Sequence, residues 1–260
     1  MMLFDTLPIW LVFMVNVAIA LLAAQLGFHF GLWLHRRRPE GKRDITTGAL
    51  VGGLLGLLAF MLAFSTSYAL AQFDKRRILA ITDANAIGTA YLRSGYLDEP
   101  DQSESRDLLH EYTALRLSYL DFDNLEFALS RSESIQDRLW TIAVRNGRDH
   151  PESVTIGLFG ESINDVIDVH TSRLSIAVGS RIPPLMWIML YGIVFVAFLL
   201  IGVASSADGN RNFVILILFA IGFAAVLALI TDLDRPQQGL FRVSQQAMLD
   251  LQRQIENFTP

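Results

Sequence analysis

Four stretches of the chain are apolar almost without interruption: Ile9–Leu34, Thr47–Phe73, Leu185–Ala204 and Phe213–Ile230. A helical residue rises about 1.5 Å and a bilayer core is about 30 Å thick, so each stretch predicts a membrane span. The first carries Trp10 near one end and Trp33 near the other, where amphipathic aromatics favour the headgroup region. It is too long for the core of a signal peptide, lacks a basic start and has no small-residue cleavage pattern, so it reads as a retained span. The second begins GALVGGLLGLLAF, with Gly48, Gly52 and Gly56 in a small-xxx-small series that lets helix backbones approach closely. Its helical pattern then runs, with no Gly or Pro at the junction, into the charged segment DKRRILAITDANAIGTAYLR.

Between the second and third spans the pattern changes to an amphipathic period of 3.6. Ile78, Ile81, Ala84, Asn85 and Gly88 follow i, i+3, i+4 spacing. Ser94–Glu104 is a loop by its Gly, Pro and acidic residues. Ser103–Asn124, Leu125–Asn146 and Val154–Ser180 each predict a helix, with NGRDHPES as a break and Pro183-Pro184 opening the third span. After the fourth span, DLDRPQQGLFRVS leads into a polar amphipathic helix from Val243 to Ile255.

The expected fold is therefore all-α: a polytopic membrane protein of four transmembrane helices with a helical soluble domain inserted between spans 2 and 3. Residues 1–73 hold spans 1 and 2, residues 74–183 the soluble domain, residues 184–231 spans 3 and 4, and residues 232–260 a tail packing on the soluble domain. Four crossings place both termini and the soluble block on one side. The flanking charges barely choose which: Arg36, Arg37, Arg38, Lys42, Arg43 and Arg211 on one face stand against Lys75, Arg76, Arg77, Arg173, Arg181, Arg235 and Arg242 on the other. The short first loop, weighted alone, argues for an external domain. A cytoplasmic domain in a bacterial inner membrane is the placement expected here.

Composition agrees with the pattern. Of 260 residues, 52% are hydrophobic and 18% charged, and the mean hydropathy is +0.38, against about 45–50% and 25% in soluble domains. The net charge of −5 supplies no basic stripe for nucleic acid. There is no cysteine, which removes disulfides, thiolate catalysis and Cys-ligated metals. The histidines at 29, 35, 110, 150 and 170 show no ligand spacing, and no Ser-His-Asp signature, P-loop or GxGxxG occurs. An enzyme has no foothold and no cofactor is called for.

Several polar groups have a chemical and a bland reading. Lys75, Arg76 and Arg77, where span meets domain, could form an electrostatic mouth that concentrates anions, or could snorkel to lipid phosphates. Asp83 and Asn85 lie on a small-residue helix and suggest a polar network with Asn164 and Asp168, with Arg93 and Arg173 available for charge pairing. Asp165 and Asp168 share a face, yet no Glu-x-x-His pair completes a dimetal site. Asp232 and Asp234 are weak metal candidates at the end of span 4, against the reading of a capped loop in which Arg235 pairs with one of them.

GALVGGLLGLLAFMLAF, FDKRR, DANAIGTAYLR, INDVID and DLDRPQQGLFRVS together resemble the bacterial bestrophin-like domain family, from Gly48 to Leu251. These are uncharacterised membrane proteins remotely similar to bestrophins, which are pentameric anion channels. The resemblance implies a homo-oligomer that passes small anions such as chloride along the second span. It puts Met61-Leu62-Ala63-Phe64 where bestrophins carry their neck segment, so that Gly56, Phe60 and Phe64 fall in the pore register, followed by hydroxyls at Ser65, Thr66 and Ser67. Phe60 and Phe64 would then gate by dewetting. The paired tryptophans of bestrophins are missing at the junction, which has Phe73 only. Their acidic calcium clasp is reduced to Asp232 and Asp234. A membrane-anchored scaffold or sensor, whose helical domain binds a partner or ligand, is the competing expectation.

Overall fold

The computed structural model describes residues 7–37, 46–118, 125–179, 181–207, 213–235 and 239–258. Arg38, Lys42, Arg43 and Arg211, named above, lie outside the described residues. Among the described residues eight α-helices follow one another: α1 Ile9–Arg37, α2 Thr46–Arg93, α3 Asp101–Ser118, α4 Leu125–Asp149, α5 Val154–Gly179, α6 Pro184–Ala207, α7 Phe213–Asp234 and α8 Gln246–Glu256. A short 3₁₀ turn at Ser94–Tyr96 ends α2, and no strand occurs among the described residues. Four of the helices are long and apolar enough to cross a membrane.

The chain divides into two units: Met1–Phe73 with Arg181–Arg242, and Asp74–Ser180 with Val243–Pro260. The seams differ from the expected ones at residues 181–183 and 232–242, which belong with the spans. The physical reason is a pair of aspartates closing α7. The carboxylate of Asp234 accepts the backbone N–H of Ile182 at 2.8 Å. Asp232 accepts the N–H groups of Leu240 and Phe241, each at 2.9 Å.

In the membrane unit the close contact is between α1 and α6. A side chain at Gly27 would meet the Leu199 carbonyl, one at Gly202 the Ala24 carbonyl, and one at Gly31 the hydroxyl of Ser206. Ala20, Ala23 and Ala24 continue this small face and are buried beside Ala197 and Phe198. Packing in lipid depends on such close van der Waals approach, because burial of apolar area gains little there. The glycines singled out from sequence, Gly48, Gly52 and Gly56, have no atom within 4 Å of where a side chain would stand.

The second unit is a helical bundle with its own core: Ile87, Leu109, Tyr112, Ile135, Leu139, Phe159 and Ile163 are buried together with Met248, Leu251 and Ile255 of α8. Helix α3 starts at Asp101, inside the stretch expected to be loop, because Glu99 accepts from the hydroxyl and the N–H of Ser103 and so caps the first turn. The antiparallel register of α3 and α4 is held by acidic residues on one helix and arginines on the other. Asp101 pairs with Arg145, Glu104 with Arg138 and Glu111 with Arg131. The hydrogen bond from Arg131 holds the Glu111 carboxyl below its ordinary range.

Candidate functional site

Helix α2 is one element of 48 residues whose first part belongs to the membrane unit and whose last part belongs to the helical bundle. Within its span, Leu58, Leu62, Ser65, Ala69 and Gln72 are buried, at i, i+4, i+7, i+11 and i+14. That stripe packs on the membrane core. The opposite stripe is exposed and holds Gly53, Gly56, Phe60, Phe64 and Ser67. Phe60 is 65% exposed and Phe64 53%. Of the most apolar stretch in this span only 17% is buried, against 28% in each of the other three. An apolar helix in lipid needs no such cover, but this face also carries glycines and a serine.

Four of the five residues expected to line a pathway thus share one open face, and one does not. Ser65 is 1% exposed and lies about 100° around the helix from Phe64, among the packing residues. Thr66 bonds back to the Leu62 carbonyl at 2.8 Å, so its hydroxyl is engaged by its own helix. Beyond the span, Lys75 and Arg77 are exposed and Arg76 is half-buried.

In the bundle, α2 delivers Asp83 to a fully buried position. Its carboxylate meets two arginines: Arg116 of α3, with Nε at 3.2 Å, and Arg173 of α5. Arg116 also donates to the hydroxyl of Tyr112, and its Nη2 lies 2.8 Å from Nδ1 of His170. Gln136 of α4 donates to the same tyrosine hydroxyl at 2.8 Å. Four helices therefore converge on one ionic cluster. Burial, and after it the Arg116 charge, push the His170 imidazole down to about 4. The imidazole is accordingly neutral at pH 7.

The polar network anticipated from sequence is rearranged. Asp83 is at its centre, and Arg173 does pair with it. Asn164 and Asp168 are exposed and bond each other across one turn at 3.1 Å. They are one face away from Ile163 and Val166, which take the core positions. Asn85 is also exposed and lines an open groove of about 740 Å³ between α2 and α8, with Thr89, Asp250, Gln254 and Asn257. His170, which sequence spacing put aside, and Arg116, which it did not single out, are the missed members. Arg93 donates to the Leu158 carbonyl at 2.8 Å and pairs with Glu161 at 3.7 Å, away from the cluster.

Asp232 and Asp234 act as backbone caps. Gly239 has a φ of 134°, which disfavours any side chain, and a Cβ there would lie 2.8 Å from Cγ of Asp232. The first Asp of the DLDRP-x-x-G motif is thus a buried carboxylate held against the Gly at its end. No group of three or more His, Cys, Asp or Glu able to hold a metal occurs among the described residues.

Comparison with known families matches the bestrophin-like domain over residues 18–248. The chain belongs to the bestrophin-like family. Among solved structures it is similar to a bacterial bestrophin homologue from Klebsiella pneumoniae, at 15% identity and a TM-score of 0.68, covering 95% of this chain and 97% of that one. A variant of that homologue gives 14% identity and a TM-score of 0.69, covering 96% and 98%. A further neighbour, described as a membrane protein variant, gives 15% identity and a TM-score of 0.68 over 95% and 97%. At these identities the likeness is one of fold. No curated protein matches. The protein is thus a bestrophin-like, all-helical membrane protein with an ion-channel kind of fold.

Proposed function

We propose that this bestrophin-like chain assembles into a homo-oligomer, a pentamer as in the bestrophins, and conducts small anions such as chloride along a pore lined by α2. Its place is the bacterial inner membrane, with the helical bundle in the cytoplasm. The observation that carries the reading is the open stripe of α2: Gly56, Phe60, Phe64 and Ser67 on a face left exposed among the described residues. One four-span subunit cannot enclose a polar path, so the stripe gains a use only when copies surround an axis. Phe60 and Phe64 then form an apolar neck that dries when narrow. Ser67 offers a hydroxyl donor just past it, and Lys75 and Arg77 raise the local anion concentration.

The test is chloride efflux from liposomes holding the purified protein, beside a Phe60→Ala, Phe64→Ala double variant. The expected result is efflux from the wild type and a several-fold faster efflux from the variant. Absence of flux in every salt, or a monomer in mild detergent, sinks the channel reading. The groove between α2 and α8 favours a second reading, a membrane-anchored sensor that binds a ligand there. A protein that conducts nothing yet is stabilised against heat by a small solute, with the effect lost in Asn85→Leu, would favour it instead.

A further inference from the structure

We propose that the Asp83–Arg116–His170–Arg173 cluster is an acid-released latch: Arg116 ties α2 to α3 while His170 is neutral, and that tie lets go when His170 takes a proton.

An arginine side chain can only donate, so the 2.8 Å contact between Arg116 Nη2 and His170 Nδ1 makes Nδ1 the acceptor. The neutral imidazole therefore carries its hydrogen on Nε2. A proton on Nδ1 would turn that acceptor into a donor aimed at another donor. The bond is lost and a cation stands against the Arg116 guanidinium. Among the described residues the charges acting on His170 are Asp83 from α2, Arg116 from α3 and Arg173 on α5 itself. Tyr112 of α3 and Gln136 of α4 complete the surroundings with neutral groups. With His170 neutral, one carboxylate faces two guanidiniums. With His170 protonated, the same carboxylate faces three cations at a site where Asp83 and Arg116 have almost no contact with solvent. Relief comes by Arg116 turning away from His170, and that movement breaks the Asp83–Arg116 pair that ties α2 to α3, while the Arg173 pair to Asp83 stays. Burial makes this a transition well below neutral pH, consistent with the downward push on the imidazole.

The measurement is hydrogen–deuterium exchange of the full chain in lipid nanodiscs between pH 7 and pH 4, corrected for intrinsic rates. Peptides covering 109–116 and 166–174 are expected to exchange at least tenfold faster below about pH 5. His170→Gln keeps an acceptor for Arg116 but does not titrate, so it is expected to stay protected throughout. A wild type with no transition overturns the proposal, and so does a His170→Gln protein with the same transition, which would assign it to carboxylates. If His170→Gln does not fold, ¹⁵N-histidine NMR of the unaltered protein decides. A His170 ring midpoint below 5, coincident with the exchange transition, supports the latch, and a midpoint near 6.5 refutes it. Exchange is read whether or not the protein conducts, so failure of the channel reading leaves this test intact.

Discussion

The turn after α7 gives the sharpest test of how this chain is built. Asp232 is 1% exposed, and its carboxylate accepts the N–H of Leu240 through both oxygens, at 2.9 and 3.1 Å, and the N–H of Phe241 at 2.9 Å. Hydrogen bonds to a charged acceptor contribute about 1.5–3 kcal/mol each. Asp232→Asn keeps the shape and one acceptor oxygen but turns an NH₂ toward one of the two backbone donors. The expected loss is about 2–3 kcal/mol, local to the turn. At 1.36 kcal/mol per tenfold change, the amides of Leu240 and Phe241 should exchange roughly 30- to 150-fold faster in the variant. Gly239→Ala should reach a similar figure by a different route. It needs a left-handed backbone at a residue with a side chain, about 1–3 kcal/mol, and drives a methyl group into the Asp232 carboxylate. The assay is amide exchange of the 239–242 segment in nanodiscs, with and without millimolar calcium. Unchanged protection in Asp232→Asn would refute the capping account. Protection that rises with calcium in the wild type would restore the aspartates as metal ligands.

Two further outcomes separate what is packed from what is exposed. Gly202→Val should lower the melting temperature of the detergent-solubilised protein by several degrees, about 2–4 kcal/mol, because its side chain has no space beside the Ala24 carbonyl of α1; Gly52→Val, open on all sides within the subunit, leaves the fold of the membrane unit intact. Asp101→Ala should destabilise the bundle by about 1–3 kcal/mol in a urea titration, since it removes the carboxylate that accepts from the Asn146 amide at 2.6 Å and leaves that amide only its bond to the Ile142 carbonyl, whereas Glu104→Ala, on an exposed rung of the same α3–α4 pairing, leaves the midpoint almost unmoved.

The four spans were legible because lipid imposes a single requirement, a long run of apolar residues, and hydropathy reports it directly. The 3.6 period likewise marked α4 and α5, whose core positions Ile135, Leu139, Ile163 and Val166 repeat at three and four residues. What sequence could not rank was which small residues touch. Gly48, Gly52 and Gly56 obey the small-xxx-small spacing as well as Gly27 and Gly31 do, and only tertiary geometry shows that the second set meets a partner helix of the same chain. The ionic cluster was half legible. Asp83 stood out as an acid among alanines, but its partners lie 33 and 90 residues away on α3 and α5, and spacing within one helix carries no sign of that. Arg116 sits between Leu115 and Leu117 in a helix rich in charge, and His170 lies one face from Asp168, so neither broke a local pattern. DLDRP-x-x-G was visible as a motif. Its meaning needed the positive φ of Gly239, which any glycine permits and no sequence reveals.

The glycines of α2 bear on the proposed assembly more directly than its phenylalanines. An exposed Phe on a membrane helix is ordinary, since lipid accepts it at no penalty. A glycine inside a helix costs about 0.5–1 kcal/mol relative to alanine, and four of them at 48, 52, 53 and 56 cost about 2–4 kcal/mol together. Nothing within the subunit offsets this, because none of the four has a neighbour where its side chain would be. Two uses outside the subunit would offset it: close approach by the helix of an adjacent copy, or a wide mouth above the neck at Phe60 and Phe64. A Gly52→Leu variant distinguishes them. Dissociation of the oligomer in detergent assigns the glycines to helix contact. An intact oligomer with reduced chloride flux assigns them to the pore. A variant that assembles and conducts like the wild type would remove both uses and, with them, the strongest physical reason for placing α2 at the axis.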